Sequence, residues 1–227
     1  MAFFTAIIGT IIKSVITGFA ISKAVSWLAP KPELPEFTQE AEAQGVLVNK
    51  QSNNANIPVI YGTRKVGGTR VFLETSGTDN QYLYGAIVLA EGEINNITSI
   101  IVDDSAVTFS GSIADGTQIT SNDSKYGTTI TIQPFFGTDG QSASSLLTTL
   151  TNWTSNHKLS GLAYIAFRIT WDADKYIGIP TIQAVIQGRK VVSYDASSVA
   201  QTAAYSTNPA WCLLDYLTNT RYGKGID

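Results

Sequence analysis

The 227-residue sequence has one cysteine, one methionine and one histidine, and these scarcities narrow its chemistry at once. A lone cysteine, Cys212, excludes an internal disulfide framework and any multi-cysteine zinc site. A lone histidine, His157, excludes a His-rich or paired-histidine metal site. Charged residues make up only 15% of the chain, against about a quarter in an average soluble protein. The net charge is −3 and no basic stripe occurs, so sequence-specific nucleic-acid binding is not expected. No G-x-S-x-G elbow is present to expose a serine nucleophile beside His157. His157 stands in the polar stretch TNWTSNHKLSG, where a surface position is expected, and Cys212 stands in an apolar run, where a buried, inert thiol is expected. No cofactor and no metal are implied.

What is abundant is Gly, Ser, Thr, Asn and Gln interleaved with β-branched and aromatic residues, the composition of a β-rich protein with a neutral polar surface. Strands are predicted at 57–62, 66–75, 82–92, 97–104, 128–136, 161–171 and 181–191, with turns at Gly62, at 76–79 and at Asn95–Asn96. The run 82–91 is nearly apolar on both faces, which predicts a central strand. In 161–171, Leu162, Tyr164, Ala166, Arg168 and Thr170 alternate with Ala163, Ile165, Phe167, Ile169 and Trp171, so one face must be mostly core. The spacing of Leu146, Leu147, Leu150 and Trp153 predicts a short helix over 144–153, and the polar stretch 108–127 reads as an exposed hairpin or loop.

Residues 1–28 differ from all of this. They are apolar almost throughout, interrupted by Lys13 and Lys23 and followed by Pro30, Pro32 and Pro35. A secretory signal carries its positive charge before the apolar run, and Lys13 interrupts an ordinary membrane span, so neither pattern fits well. Small residues recur every fourth position at Ala2, Ala6, Thr10, Ser14, Gly18, Ser22 and Ser26. That spacing lets helix backbones approach closely, although the ladder winds around a helix of 3.6 residues per turn. An apolar helix of this kind is expected either to be buried in an assembly, to pack on its own domain's core, or to act directly on a membrane. The proline-rich and acidic stretch 29–45 is expected to be a semi-stiff linker, separating this helix from a β-rich region at 46–207.

Two further motifs bear on chemistry. GTRKVGGT at 62–69 has the glycines of a phosphate-cradling loop, but Gly68 replaces the required lysine and a strand follows where a helix should open. The glycines read instead as a turn between strands, with Arg64, Lys65 and Arg70 as a basic rim, solvated or paired with a neighbouring subunit. Glu91 and Glu93 flank Gly92, and Asp103–Asp104 closes the next strand. Paired carboxylates can perform glycosidase-type chemistry, but nothing nearby would raise one pKa selectively. No catalytic residue is assigned.

The chain closes with NPAWCLLDYLTNTRYGKGID. Asn208 is a good N-cap and Pro209 a good first helical residue. Trp211, Leu214 and Leu217 give the predicted helix one apolar face, Ala210 and Leu213 widen it, and Gly223 and Gly225 end the run. This segment resembles a stretch of the tail-tip attachment proteins of long-tailed bacteriophages, the lambda J-like central hub family. The match runs through Asn208, Ala210, Trp211, Cys212, Leu213, Asp215, Leu217, Thr218, Arg221, Tyr222, Gly223 and Gly225. AIVLAEGEINNI is similar to a strand–turn–strand unit of the same family at Ala86, Ile87, Glu91, Gly92 and Ile94. IPVIYGTRKVGGTRVF and GIPTIQAVIQGRKV resemble further family strands.

The resemblance covers about residues 45–227 and implies a structural protein of the virion tail tip, assembled in the bacterial host cytoplasm. It implies an α+β, predominantly β fold: tube-like antiparallel β hub domains, with the apolar N-terminal helix and a C-terminal helix added. It also implies a homotrimer that closes the distal tail-tube ring and assists host attachment and DNA ejection. Implied partners are that ring and other tail-tip proteins; the family does not settle the role of residues 1–28, for which the small-residue spacing and the proline tether point to the tape-measure protein or the host membrane. The assembly residues expected on the combined reading are Ala6, Thr10, Ser14, Gly18, Ser22, Arg64, Lys65, Arg70, Trp211, Arg221 and Tyr222. Residues 208–227 are expected to be a helix and a junction to a following domain. The alternatives are a cell-wall hydrolase on the tail tip and a membrane-anchored bacterial surface protein.

Overall fold

The computed structural model describes residue 49 and residues 56–226. The expected helix at 1–28, the linker at 29–45 and the residues Ala6, Thr10, Ser14, Gly18 and Ser22 lie outside the described residues.

The described chain is built from two antiparallel sheets and, among the described residues, one α-helix. In the first sheet, β1 (Thr63–Val66), β9 (Ile182–Val191), β4 (Ile94–Val102) and β5 (Ser105–Ala106) lie side by side, with β10 (Ala204–Tyr205) pairing the end of β9. In the second, the order is β2 (Thr69–Ser76), β3 (Tyr82–Glu91), β8 (Leu162–Thr170), β7 (Ile130–Phe136) and β6 (Ile119–Thr120). Residues 66–69 carry the chain from one sheet to the other.

The inner faces meet in one core that joins Ile94, Ile97, Ile100 and Ile186 of the first sheet to Ile87, Ile132, Ile165 and Phe167 of the second. Fully burying a side chain of this size contributes roughly 1.5–3 kcal/mol. The outer face of the second sheet carries another apolar cluster, in which Tyr84, Ala86, Val88, Tyr164 and Ala166 lie under Leu146, Leu147, Leu150 and Trp153. β3 and β8 are therefore covered on both faces. That is why 82–90 is apolar throughout; in β8, Ala163, Ile165, Phe167 and Ile169 form the buried face expected, and Tyr164 and Ala166 on the other face are buried as well.

Several sequence expectations are corrected. Residues 57–61 are extended but not a strand; the pairing begins at Thr63, and the Pro58 and Ile60 carbonyls accept from Glu91 and Arg189 N–H groups. The second strand begins at Thr69, not at 66. Asn95 and Asn96 lie inside β4, and the turn is at Gly92–Glu93; the Asn95 amide donates to Gln187 Oε1 at 2.6 Å, a side-chain pairing between neighbouring strands. No helix forms at 144–153. Gln133, buried in β7, accepts from the Ser144 hydroxyl at 2.6 Å and the Leu146 N–H at 3.1 Å, drawing the segment into successive turns. The apolar residues predicted to share a face do face the core.

The stretch 108–127 is not simply exposed. It contributes β6, and Ile119, Ser121 and Tyr126 are buried, with the Tyr126 hydroxyl donating to the Val102 carbonyl at 3.0 Å. Asp103 and Asp104 form the expected turn, both in the left-handed region at φ 44° and 60° as a tight hairpin requires. His157 is exposed as expected and packs against Trp153, ring centroids 5.2 Å apart.

Candidate functional site

The closing helix, α1 (Pro209–Thr218), begins as its sequence dictates: Asn208 is extended at φ −70°, ψ 117° and its side chain accepts from the Ala210 N–H at 2.9 Å. Its end differs from expectation. The helix stops at Thr218 with Asn219 as cap, before the glycines, and the chain then folds back on the helix terminus. Lys224 N–H donates to the Tyr216 carbonyl at 2.9 Å and Ile226 N–H to the Leu217 carbonyl at 2.8 Å. Gly223 allows this approach, because a Cβ there would lie 2.0 Å from the Tyr216 carbonyl oxygen.

No residue of α1 is buried. Trp211, Leu214 and Leu217 are half-buried, while Ala210 is exposed and Leu213 is 56% exposed, so the apolar face is narrower than the sequence indicates. Cys212 is half-buried rather than buried, and burial, with the nearby Asp215 carboxylate second, pushes its thiol pKa up. The helix is held to the sheets mainly by polar groups.

Asp215 is the centre of these contacts. Its Oδ2 accepts from the Tyr61 hydroxyl and from the Tyr222 hydroxyl, each at 2.6 Å, and lies 3.6 Å from Arg189 Nε. The last distance is an ion pair, too long for a hydrogen bond. The Arg189 guanidinium sits 4.4 Å from the centroid of the Tyr222 ring, a cation–π contact worth about 0.5–2 kcal/mol. Burial first, and the bond to Asp215 second, push both tyrosine hydroxyls far above the ordinary tyrosine pKa, so both remain protonated donors.

Beside this cluster, Arg221 Nε lies 2.8 Å from Glu91 Oε1, and Lys190 Nζ lies 2.6 Å from Glu93 Oε1. The turn at Gly92 (φ 81°) allows the arrangement: a Cβ there would fall 1.5 Å from an Arg189 guanidinium nitrogen. The two glutamates considered as an acid–base pair are thus each engaged by a basic side chain.

Of the residues expected at an interface, Arg221 and Tyr222 come together at this junction, whereas Trp211 packs near Tyr194, ring centroids 6.1 Å apart. The basic rim is not one turn. Arg64 and Lys65 stand on β1 and Arg70 on β2, strands of different sheets, and Lys65 reaches exposed Asp104 at 3.8 Å, a pair of little energetic weight. Sequence reasoning missed the role of Tyr61, whose only signal is its place in the family-like segment 57–72. It also missed the mutual contact of Glu91, Gly92, Arg189 and Asp215, although each stands in a segment with a family resemblance.

At the other end of β3, Leu73, Leu83, Ile169, Trp171, Tyr176 and Ile179 help line a largely apolar cavity of about 490 Å³. Among the described residues there is no cluster of metal-ligating side chains, and no helix is long and apolar enough to cross a membrane.

No protein-family model matches the chain. Over 216 residues it is 28% identical to the baseplate hub protein pb3 of Escherichia phage T5, covering 75% of this chain and 23% of that relative. The chain therefore spans about a quarter of the length of the curated relative it matches. The solved virion of a native gene transfer agent particle overlaps it with a TM-score of 0.44 at 16% identity, over 62% of this chain and 28% of that one. The sequence relationship is to a phage tail hub-type protein.

Proposed function

We propose that this chain is a structural component of a phage tail baseplate, the β-built first portion of a hub that closes the distal tail tube. The observation that carries the reading is the meeting of three separate family-like segments at one junction: Glu91–Gly92, Arg189, and Asp215 with Arg221 and Tyr222. Separate segments that resemble one family and also contact each other behave as one built feature, where chance matches would scatter.

In its finer form, the β region 46–207 forms a homotrimeric ring on the last tail-tube ring, and residues 208–227 hand over to a following region. The tether 29–45 then lets the apolar residues 1–28 lie within the assembly, against the tape-measure protein, other tail-tip proteins or the host membrane at DNA ejection. The role is structural, with both glutamates of the hydrolase alternative engaged in ion pairs.

Cryo-electron microscopy of virions produced with a tag inserted in the exposed turn 138–140 tests this. Density for the tag at the tail tip, repeated three-fold, is expected. Tag density on the capsid, or its absence from purified virions, overturns it.

A further inference from the structure

We propose that residues 208–226 form a strap that opens as a unit, and that Asp215 is a latch coupling this opening to the segment that enters β1. The inference rests on side-chain geometry and does not require the hub assignment. An element with no buried residue has little apolar area with which to hold its place, and short helices are marginal by themselves. β3 and β8, by contrast, are enclosed by apolar clusters on both faces.

Two short hydrogen bonds converge on one carboxylate oxygen of the strap, while Arg221 separately holds Glu91 at the end of β3. Tyr61, two residues before β1, and Tyr222, four residues after α1, donate to the same Oδ2 of Asp215. The Asp215 side chain is only 16% exposed, so water does not readily replace either donor. A separate, exposed tie lies just before the strap in sequence: the Thr63 hydroxyl of β1 and the Tyr205 hydroxyl of β10 are 2.8 Å apart. The strap and the entry to the β body are clasped at Asp215. Opening one side removes a hydrogen-bond partner from the other, and the two become energetically linked.

Hydrogen exchange on the full chain tests the proposal. In the wild type, amides of 210–219 are expected to exchange by a local opening, faster than those of β3 and β8. Tyr61→Phe removes one hydroxyl that lies far from the strap in sequence. It is expected to raise exchange in 210–226 by about tenfold to a hundredfold, the equivalent of losing one hydrogen bond to a charged group, while β3 and β8 are unchanged. Tyr222→Phe keeps the ring over Arg189 and is expected reciprocally to raise exchange at Gly188 and Arg189, whose N–H groups donate to the Gly62 and Ile60 carbonyls of that segment. Wild-type exchange of the strap only through global unfolding overturns the idea of a separate unit. A Tyr61→Phe effect confined to its own neighbourhood overturns the coupling. Should either variant lose stability throughout, the wild-type exchange pattern with and without about 0.5 M urea still separates local from global opening.

Discussion

Arg221 reaches from beyond the closing helix to Glu91 at the end of β3, Nε to Oε1 at 2.8 Å. The pair is asymmetric: the arginine side chain is 62% exposed and the glutamate 13%. Arg221→Ala strands a mostly buried carboxylate, whereas Glu91→Gln leaves a solvated guanidinium. The arginine substitution is therefore expected to cost more, about 1–2 kcal/mol against less than about 1. A double-mutant cycle in urea checks this, and additive single effects would show the pair to be uncoupled.

A side chain at Gly92 is strained by the left-handed φ of 81° and must displace the Arg189 guanidinium from its place beside Asp215. Gly92→Ala combines a left-handed φ with a Cβ placed on the Arg189 guanidinium, and is expected to destabilise by roughly 1–3 kcal/mol. The urea midpoint should fall with an unchanged slope. Gly140, which has open space around it, is the control: Gly140→Ala should have little effect.

Alkaline pH should act on the latch. The Tyr61 and Tyr222 hydroxyls have folded-state pKa values raised above the unfolded value of about 10. Their contribution is fully present below that value and is lost as pH rises through the folded-state value. The stability gap between wild type and Tyr222→Phe should thus be constant from about pH 6 to 9 and narrow above about pH 10. Comparison with the single variant cancels the other tyrosines raised by burial, Tyr164 and Tyr176. A gap that widens with rising pH would contradict the assignment.

Cys212 reports on the same site. Burial and the Asp215 charge both hold its thiol above the ordinary pKa. Asp215→Asn removes the charge, so iodoacetamide alkylation at about pH 8 should accelerate, by several-fold if the strap also opens. Tyr222→Phe leaves the charge in place and should accelerate it less. Equal rates in all three proteins would mean that Asp215 does not control this surface.

How far each feature was legible depended on how local its cause is. The N-cap of α1 was readable because Asn208 and Pro209 act within one turn. The central position of β3 was readable because a strand covered on both faces is apolar along both sets of alternating residues over most of its length. The helix predicted over 144–153 failed because its leucine spacing serves equally for turns pressed against a sheet, and Gln133, from a distant strand, takes the hydrogen bonds. The β1 residues were mistaken for a turn because glycines on both sides are needed for close passage between sheets as well as for reversal.

By itself the sequence determined the β-rich class, the alternation that buries β8, the cap of α1 and the segments with a family resemblance. Tertiary structure decided what those segments do together. Tyr61, Glu91, Arg189, Asp215 and Tyr222 are spread along most of the described chain, and no pattern of nearby residues encodes that they meet. Antiparallel pairing of β3 with β8 and of β4 with β9 fixes where the Gly92 turn and Arg189 fall, and the fold-back after α1 then brings the tyrosine and arginine to them.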